Sequence, residues 1–441
     1  MDCRSDFEFE LKEQSAAGGD GRVRVSIVLL VATLLAGPVG CEPEVGRPSL
    51  LILLTVDTLR ADRLGAFGGE LGLTPNLDAL AAESIVFTST YAPASLTLPS
   101  MSAMMTGRYP LELGIEHNES AIPDSTPTLA GELKSRGWRT FAVVSNFVLR
   151  RQTGIDAGFD HYDDSLEERE VVRNLPERTA SASTDAGLAM FDLCADGGDT
   201  RCLVWIHYQD PHGPYTPPEG RRARYLPVER EAADGRVALR RRIGSDGFGG
   251  IPNYQYLDEQ HEVAFYRAGY DAEVGYVDEE IGRLLAGLEE RGMLNDALIL
   301  FAADHGESLG EGNYWFAHGQ LLSEVLVRVP FFLRVPGRAP ERRDDVVSLV
   351  DLYGTILHLL TGESDLPRHR GRDLFAEGAA DGKSVAFLDT SSAVDPRLYG
   401  IVDGEYKWIV MESGGVPTGM LYRVGQAGVG VGTEQPEPNQ P

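Results

Sequence analysis

Three stretches of this sequence place chemically capable side chains at the ends of apolar runs. Leu50 to Val56 is an apolar segment of the kind expected for a buried parallel strand, and it stops abruptly at Asp57. Ala297 to Ala302 is a second such run, with Asp304, His305 and Gly306 close behind it. Ligands of parallel α/β sheets bind beyond the carboxyl ends of the strands. Carboxylates and an imidazole converging there from separate strands make a divalent-cation site. A lone Asp after a strand is more often a cap or loop residue, so the set as a whole carries the reading. The third stretch, Ala94 to Pro110, reads A-S-L-T-L-P-S-M-S-A-M-M-T-G-R-Y-P. Pro99 and Ser100 can open a helix, which puts Thr97 just before a helix N-terminus, where free backbone N–H groups and the dipole favour an anionic ester group. A hydroxyl there is placed to attack phosphorus or sulfur, its alkoxide stabilised by an adjacent metal ion.

The elements that must position these residues are legible in outline. Thr140 to Ser145 and Leu203 to His207 are further strand candidates. Val274, Val277, Ile281, Leu284, Leu285 and Leu288 lie at helical spacing, so Ala272 to Arg291 is predicted to be an amphipathic helix packed on a sheet. Thr74 with Pro75, and Thr126 with Pro127, have the form of helix starts, the second helix closing at Gly137. Strands alternating with helices predict an α/β class with a mostly parallel sheet covered on both faces. Arg221 to Tyr254 has many charges and no clear period, and is read as a mobile excursion in preference to an insertion over the site. Residues 49–336 form the expected catalytic domain. Residues 337–424 complete it with a small C-terminal subdomain, and the Gly-, Glu- and Pro-rich stretch 425–441 is predicted to be disordered.

The formal net charge of −27 opposes nucleic acid and polyanionic surfaces. An anionic substrate group then needs a metal or a local cluster of Arg, His and Lys. Near the start, Arg22 and Arg24 precede an apolar run from Val25 to Ala36 that ends in Gly37, Pro38, Val39, Gly40 and Cys41. About a dozen apolar residues suit a signal-peptide core better than a membrane span. Residues 1–41 are therefore read as an export signal, with a linker over 42–48. Small residues before Cys41 resemble a lipoprotein box, although Pro38 departs from it. The expected location is the periplasm or cell envelope, with membrane attachment through a lipid at Cys41. Cys194 and Cys202 remain as either a short-loop disulfide or two free thiols.

T-V-D-T-L-R-A-D-R-L-G at Thr55 to Gly65, L-T-P-N-L-D-A-L-A at Leu73 to Ala81, T-G-R-Y-P ending at Pro110, H-Y-Q-D-P-H-G-P-Y at His207 to Tyr215, A-D-H-G-E-S-L-G-E at Ala303 to Glu311, and R-V-P at Arg328 to Pro330 occur in this order. The ordered set resembles the sulfatase branch of the alkaline-phosphatase superfamily. The resemblance implies a three-layer sandwich around a mostly parallel mixed sheet, with a small C-terminal subdomain. It also implies one divalent metal held by Asp57, Asp304 and His305, and a nucleophile at position 97 that touches the metal. His212 and His318 would contact the ester oxygens or protonate the leaving group, and Arg108 would support the nucleophile's loop. By position alone, His207 is as good a candidate as His212. The other histidines, among them His117, His161, His261, His358 and His369, are left to surface or packing roles.

The sequence departs from the sulfatase pattern at informative places. Sulfatases read C-x-P-x-R or S-x-P-x-R, and their Cys or Ser is oxidised to formylglycine; here the frame reads T-L-P-S-M, with Thr97 and Met101. Threonine cannot yield that aldehyde, so direct attack by its oxygen is expected, followed by resolution of a threonine ester. Thr58 stands where sulfatases have another metal-binding Asp, and His305 where many have Asn, which moves the expected metal from Ca²⁺ toward Mn²⁺ or Zn²⁺. Arg60 or Arg108 would have to take over the charge that Met101 lacks. The expected activity is hydrolysis of a small-molecule or glycan sulfate or phosphate ester. The alternatives are a phosphodiesterase or phospho-group transferase working through phosphothreonine, and a degenerate surface protein that binds an anionic ligand or glycan without turnover.

Overall fold

The computed structural model describes residues 47–424 apart from 197, 199–200, 258, 364–368, 377–383, 391–393 and 414–415, together with 435–436. The export signal, Cys41 and most of the linker therefore lie outside the described residues. In chain order the elements are β1 (Leu50–Val56), α1 (Pro75–Ala82), β2 (Ile85–Tyr91), α2 (Thr97–Thr106), α3 (Pro110–Leu113), α4 (Leu129–Ser135), β3 (Arg139–Val143) and β4 (His161–Asp163). Next come the short hairpin β5 (Glu168–Arg169) and β6 (Pro176–Glu177), then α5 (Ala180–Ala195), β7 (Cys202–Tyr208), α6 (Arg222–Glu231), α7 (Val263–Glu290) and β8 (Ala297–Ala303). They are followed by β9 (Ser308–Leu309), β10 (Trp315–Ala317), α8 (Glu324–Val327), β11 (Arg328–Arg334), β12 (Glu341–Ser348) and α9 (Asp351–Thr361). The last five strands are β13 (Val385–Asp389), β14 (Arg397–Asp403), β15 (Tyr406–Ser413), β16 (Val416–Arg423) and β17 (Gln435–Pro436).

The main sheet has the order β12-β2-β11-β8-β1-β7-β3-β4, and every neighbouring pair is parallel except those made by β11. Central strands β1, β7 and β8 are buried along their full length, as strands covered by helices on both faces must be. Helix α5 packs closely on β7 because Gly187 has no side chain. A Cβ there would stand 2.5 Å from Ile206 Cδ1. A bond between Cys194 and Cys202 ties the end of α5 to the start of β7, which decides between the two sequence alternatives for this pair. Among the described residues, no helix is long and apolar enough to cross a membrane.

Two expectations change. The amphipathic helix begins at Val263 rather than Ala272, because its first turns, including Tyr266, Ala268 and Tyr270, are buried and carry no amphipathic period. Arg221 to Tyr254 is not a free excursion. It contains α6, which packs on α7, and ends in buried Tyr254, whose hydroxyl donates to Phe316 O at 3.0 Å. In the stretch 425–441 the two described residues pair with β16 as a strand, and the rest lie outside the described residues. The C-terminal subdomain is a five-stranded sheet in the order β13-β14-β15-β16-β17 with its own apolar cluster, while β12 and α9 still belong to the main layers.

Candidate active site

The strand order brings the chemically capable residues to one edge of the sheet. Asp57 follows β1 and its N–H donates to Tyr208 O at 2.9 Å; Asp304 follows β8 and its N–H donates to Val56 O at 3.4 Å. His305 comes next, and Gly306 lets the chain turn against α8, since a Cβ there would stand 2.0 Å from Val325 O. Ligand atoms of Asp57, Asp304 and His305 lie within 4.8 Å of one another, all buried. His305 Nε2 is 3.7 Å from Asp57 Oδ1 and 3.7 Å from Asp304 Oδ2. Its Nδ1 faces Gly306 O at 2.9 Å, which makes that nitrogen the protonated one and leaves the Nε2 lone pair facing the carboxylates.

The remaining partners show what this cluster lacks. Asp304 Oδ1 accepts from the backbone N–H groups of Thr58 at 3.1 Å and His305 at 2.7 Å, and Asp57 Oδ2 accepts from Asn146 Nδ2 at 2.5 Å. Asp57 Oδ1 and Asp304 Oδ2 are buried without a hydrogen-bond partner. Two orphaned carboxylate oxygens beside an imidazole lone pair fit a divalent cation, because burial of unpaired carboxylates is otherwise strongly unfavourable. Burial and the charge of Asp57 push the Asp304 carboxyl well above its ordinary range. Burial also opposes the charge of Asp57, but the imidazoles of His212, His207 and His305 outweigh it and hold that carboxyl low. Burial, together with the charge of His318, lowers His305 to about 3, so it is neutral and able to ligate.

Thr97 is the first residue of α2 and is buried, with its Oγ1 3.5 Å from Asp57 Oδ2 and 3.4 Å from His305 Nε2. Ser100 Oγ donates to Asp304 O at 2.6 Å and locks the helix start to the carboxylate loop. The first turn of this helix offers few free donors, contrary to expectation. Pro99 has no N–H, Leu98 N donates to Asn118 Oδ1 at 3.0 Å, and Ser100 N donates to Leu96 O at 3.0 Å. His212, His318 and His305 form a row, with ring centroids 5.2 Å apart for the first pair and 4.6 Å for the second. His318 Nδ1 is paired with Glu307 Oε1 at 3.2 Å, and Glu307 offsets the burial penalty to raise that imidazole. Burial, against the pull of Asp57, lowers His212 to about 4. The ring of Tyr254 stacks 6.4 Å from His212.

A family profile described as Sulfatase matches residues 49–362. The chain belongs to the sulfatase family. Relatives of this sulfatase-family chain include the choline-sulfatase of Rhizobium meliloti (strain 1021), 27% identical over 418 residues that cover 82% of this chain and 78% of the relative. Iduronate 2-sulfatase of Homo sapiens is 25% identical over 368 residues, covering 70% of this chain and 64% of that protein, so this chain spans just under two thirds of its length. Among solved structures, one in complex with its substrate D-glucosamine-2-N,6-O-disulfate has a TM-score of 0.68 at 21% identity, covering 86% of this chain and 91% of that one. The phosphonate monoester hydrolase of Agrobacterium radiobacter has a TM-score of 0.66 at 19% identity, covering 86% and 89%. These likenesses establish the fold, and family membership places the chain among the sulfuric- and phosphoric-ester hydrolases.

Against the sulfatase pattern, the departures now have positions. Met101 is wholly inside the main core, so the missing guanidinium leaves no vacancy to be filled at that point. Arg60 does not take over its role. It is buried and engaged by Asp62, Glu311 and the carbonyl of Glu307. Arg108 is not brought to the reacting group either. It lies beyond the C-terminal end of α2, about 15 Å of helix from Thr97, and its charge is felt by Tyr353 on α9. Thr58 adopts φ 54°, a strained value for a β-branched residue, while its buried hydroxyl has no partner. His207, which strand position alone ranked with His212, lies beneath the cluster instead. Trp205 Nε1 donates to Thr55 Oγ1 at 2.9 Å, Thr55 Oγ1 contacts His207 Nδ1 at 2.9 Å, and His207 Nε2 is 3.7 Å from Asp57 Oδ2. Asn146, Glu307, Asn118 and Tyr254 were not singled out in the sequence. Asn146 carries the signal already used for Asp57, a polar residue just past an apolar strand.

Proposed function

We propose that this chain hydrolyses an oxygen ester of sulfate or phosphate with Thr97 Oγ1 as the nucleophile. The observation that carries this reading is the position of that hydroxyl, 3.4 Å from His305 Nε2 and 3.5 Å from Asp57 Oδ2, beside two orphaned carboxylate oxygens. A bound divalent cation would be held by Asp57, Asp304 and His305 and would supply charge stabilisation to the ester oxygens and to the threonine alkoxide. One imidazole with two carboxylates favours Mn²⁺ or Zn²⁺ over Ca²⁺.

Thr97 Oγ1, its proton released to water, attacks phosphorus or sulfur, and the bond to the leaving oxygen breaks. His318, oriented by Glu307, donates the proton to that oxygen. His212 faces the same space and hydrogen-bonds an ester oxygen. Water then cleaves the threonine ester and regenerates the hydroxyl. Names of the relatives, choline-sulfatase and iduronate 2-sulfatase, support a small-molecule or glycan ester as substrate.

Metal analysis of the purified protein, with parallel turnover of an aryl sulfate, an aryl phosphate monoester and an aryl phosphodiester, tests the reading. We expect turnover of at least one, lost in T97A, with the metal retained. Activity that survives T97A sinks the nucleophile assignment, and no turnover with no bound metal transfers the chain to anionic-ligand binding. Threonine cannot become an aldehyde, which favours phosphorus chemistry as the second reading. Label retained on Thr97 after incubation with the phosphodiester would establish a phosphodiesterase or phospho-group transferase. Export to an oxidising compartment is supported by the Cys194–Cys202 bond. Free-thiol titration of the folded protein checks it, with no reactive thiol expected from this pair.

A further inference from the structure

The segment that carries Thr97 is held from a direction the reaction scheme does not use. Asp389 N, on edge strand β13 of the C-terminal sheet, donates to Pro93 O at 2.9 Å, and Ala94 pairs with Asp389 as an isolated parallel bridge. Ser95 Oγ donates to Leu321 O at 3.0 Å. Side chains continue the attachment. Arg397 on β14 grips Asp389 through Nε at 2.9 Å and Nη2 at 2.5 Å, and reaches Glu116 Oε2 with Nη1 at 3.1 Å. Two residues beyond Glu116, Asn118 Oδ1 accepts the Leu98 N–H at 3.0 Å, the peptide group immediately after Thr97.

We propose that Asn118, anchored through Glu116 by Arg397, is a positioning residue for Thr97, and that the C-terminal sheet fixes the nucleophile's loop from outside the main sheet. The proposal rests on Thr97 being the nucleophile for its kinetic consequence, and on geometry alone for the restraint itself. Leu98 N sits in the first turn of α2, where a helix cannot satisfy its own N–H groups. A cap supplied by Thr97 itself would tie up the hydroxyl needed for attack, whereas Asn118 satisfies Leu98 N and leaves Thr97 Oγ1 facing Asp57 and His305. The Arg397 fork joins two segments 281 residues apart in sequence, so the loop's position depends on the last domain of the chain being folded onto it.

The full-length variants N118A, N118D and R397A test this, with kcat and KM on the best aryl ester, metal content, and amide hydrogen exchange of the peptide spanning residues 93–98. N118A and R397A are expected to lower kcat on the order of ten- to a hundredfold, as small misplacements of a reacting group do, with KM and metal content unchanged and Leu98 exchanging faster. N118D keeps the acceptor and restores slow exchange. If N118A matches the parent protein in both kcat and Leu98 exchange, the positioning role is overturned. If the parent turns over no ester yet Leu98 exchange rises in N118A and R397A, the proposed reaction fails while the restraint stands.

Discussion

Lys407, Glu324 and Arg328, buried where the C-terminal sheet meets the main sheet, contrast with Asp57, Asp304 and His305 at the carboxyl edge of the strands. In the first group the charges answer one another. Lys407 Nζ reaches Glu324 Oε1 at 3.0 Å and Leu322 O at 2.7 Å, Tyr91 OH donates to Glu324 Oε2 at 3.2 Å, and Arg328 donates twice to Thr88 O. In the second, two carboxylates face one imidazole, and each keeps an oxygen with no partner. Both groups are buried to a similar degree. What separates a structural charge cluster from a functional one here is the unfilled valence, not the burial.

The contrast can be broken experimentally. Replacing Asp304 in D304N should abolish metal retention and lower turnover roughly a thousandfold or more, the scale of several kcal/mol of lost charge stabilisation. Without metal, the variant should melt no lower than the parent, because a like-charge repulsion has been removed. Elemental analysis and thermal melts in chelator check both halves. K407M should do the reverse. Removing the ammonium from its buried ion pair with Glu324 costs about 3–5 kcal/mol, read as a lower denaturant midpoint, while metal content per folded molecule is unchanged.

Smaller effects sharpen the boundary. H207Q removes a group that packs against Asp57 without joining the ligand set, and should weaken metal affinity about ten- to a hundredfold, measured by competition with a chelator. The smallest effect concerns Asp210 and Glu177, which have a hydrogen bond each, from Ala180 N and Gln209 Nε2, but no ion pair among the described residues. Burial raises both to about 7, with neighbouring acids adding to the shift of Glu177. A carboxyl raised in the folded state binds a proton that the unfolded chain has released. Its favourable contribution is complete below the ordinary carboxyl range near pH 4 and is lost as pH rises toward 7. The denaturant midpoint should therefore fall from pH 5 to pH 8, with a shallower slope in D210N.

The parts of the fold legible in sequence were those with a local signature. Strands β1, β7 and β8 are apolar throughout, and the rule that chemistry follows such strands located Asp57, Asp304 and His305. Strand β2 was missed because Thr88, Ser89 and Thr90 dilute its apolar character although most of it is buried, and β12 because it opens on Glu341, Arg342 and Arg343. Asn146 was missed for a smaller reason. The apolar pattern runs on to Ser145, two residues past the strand's end at Val143, and hides Asn146 as a residue that follows a strand. The pairings of Glu307 with His318 and of Asn118 with Leu98, and the burial of Met101 in the core, depend on how loops cross in space. No local pattern encodes them.

The central strand has a consequence in time as well as in space. Strand β1 is flanked by β7 and β8, so Asp57 rides on the most enclosed part of the sheet, and Thr58 meets Asp304 across 246 residues of chain. Regions of a protein open with very different free energies, and core strands open last. A cation bound by Asp57 and Asp304 would thus be held by the part of the molecule that comes apart only when nearly everything else has. The two carboxylates should therefore keep their spacing through local openings elsewhere, with the amides of β1 exchanging only on the clock of global unfolding.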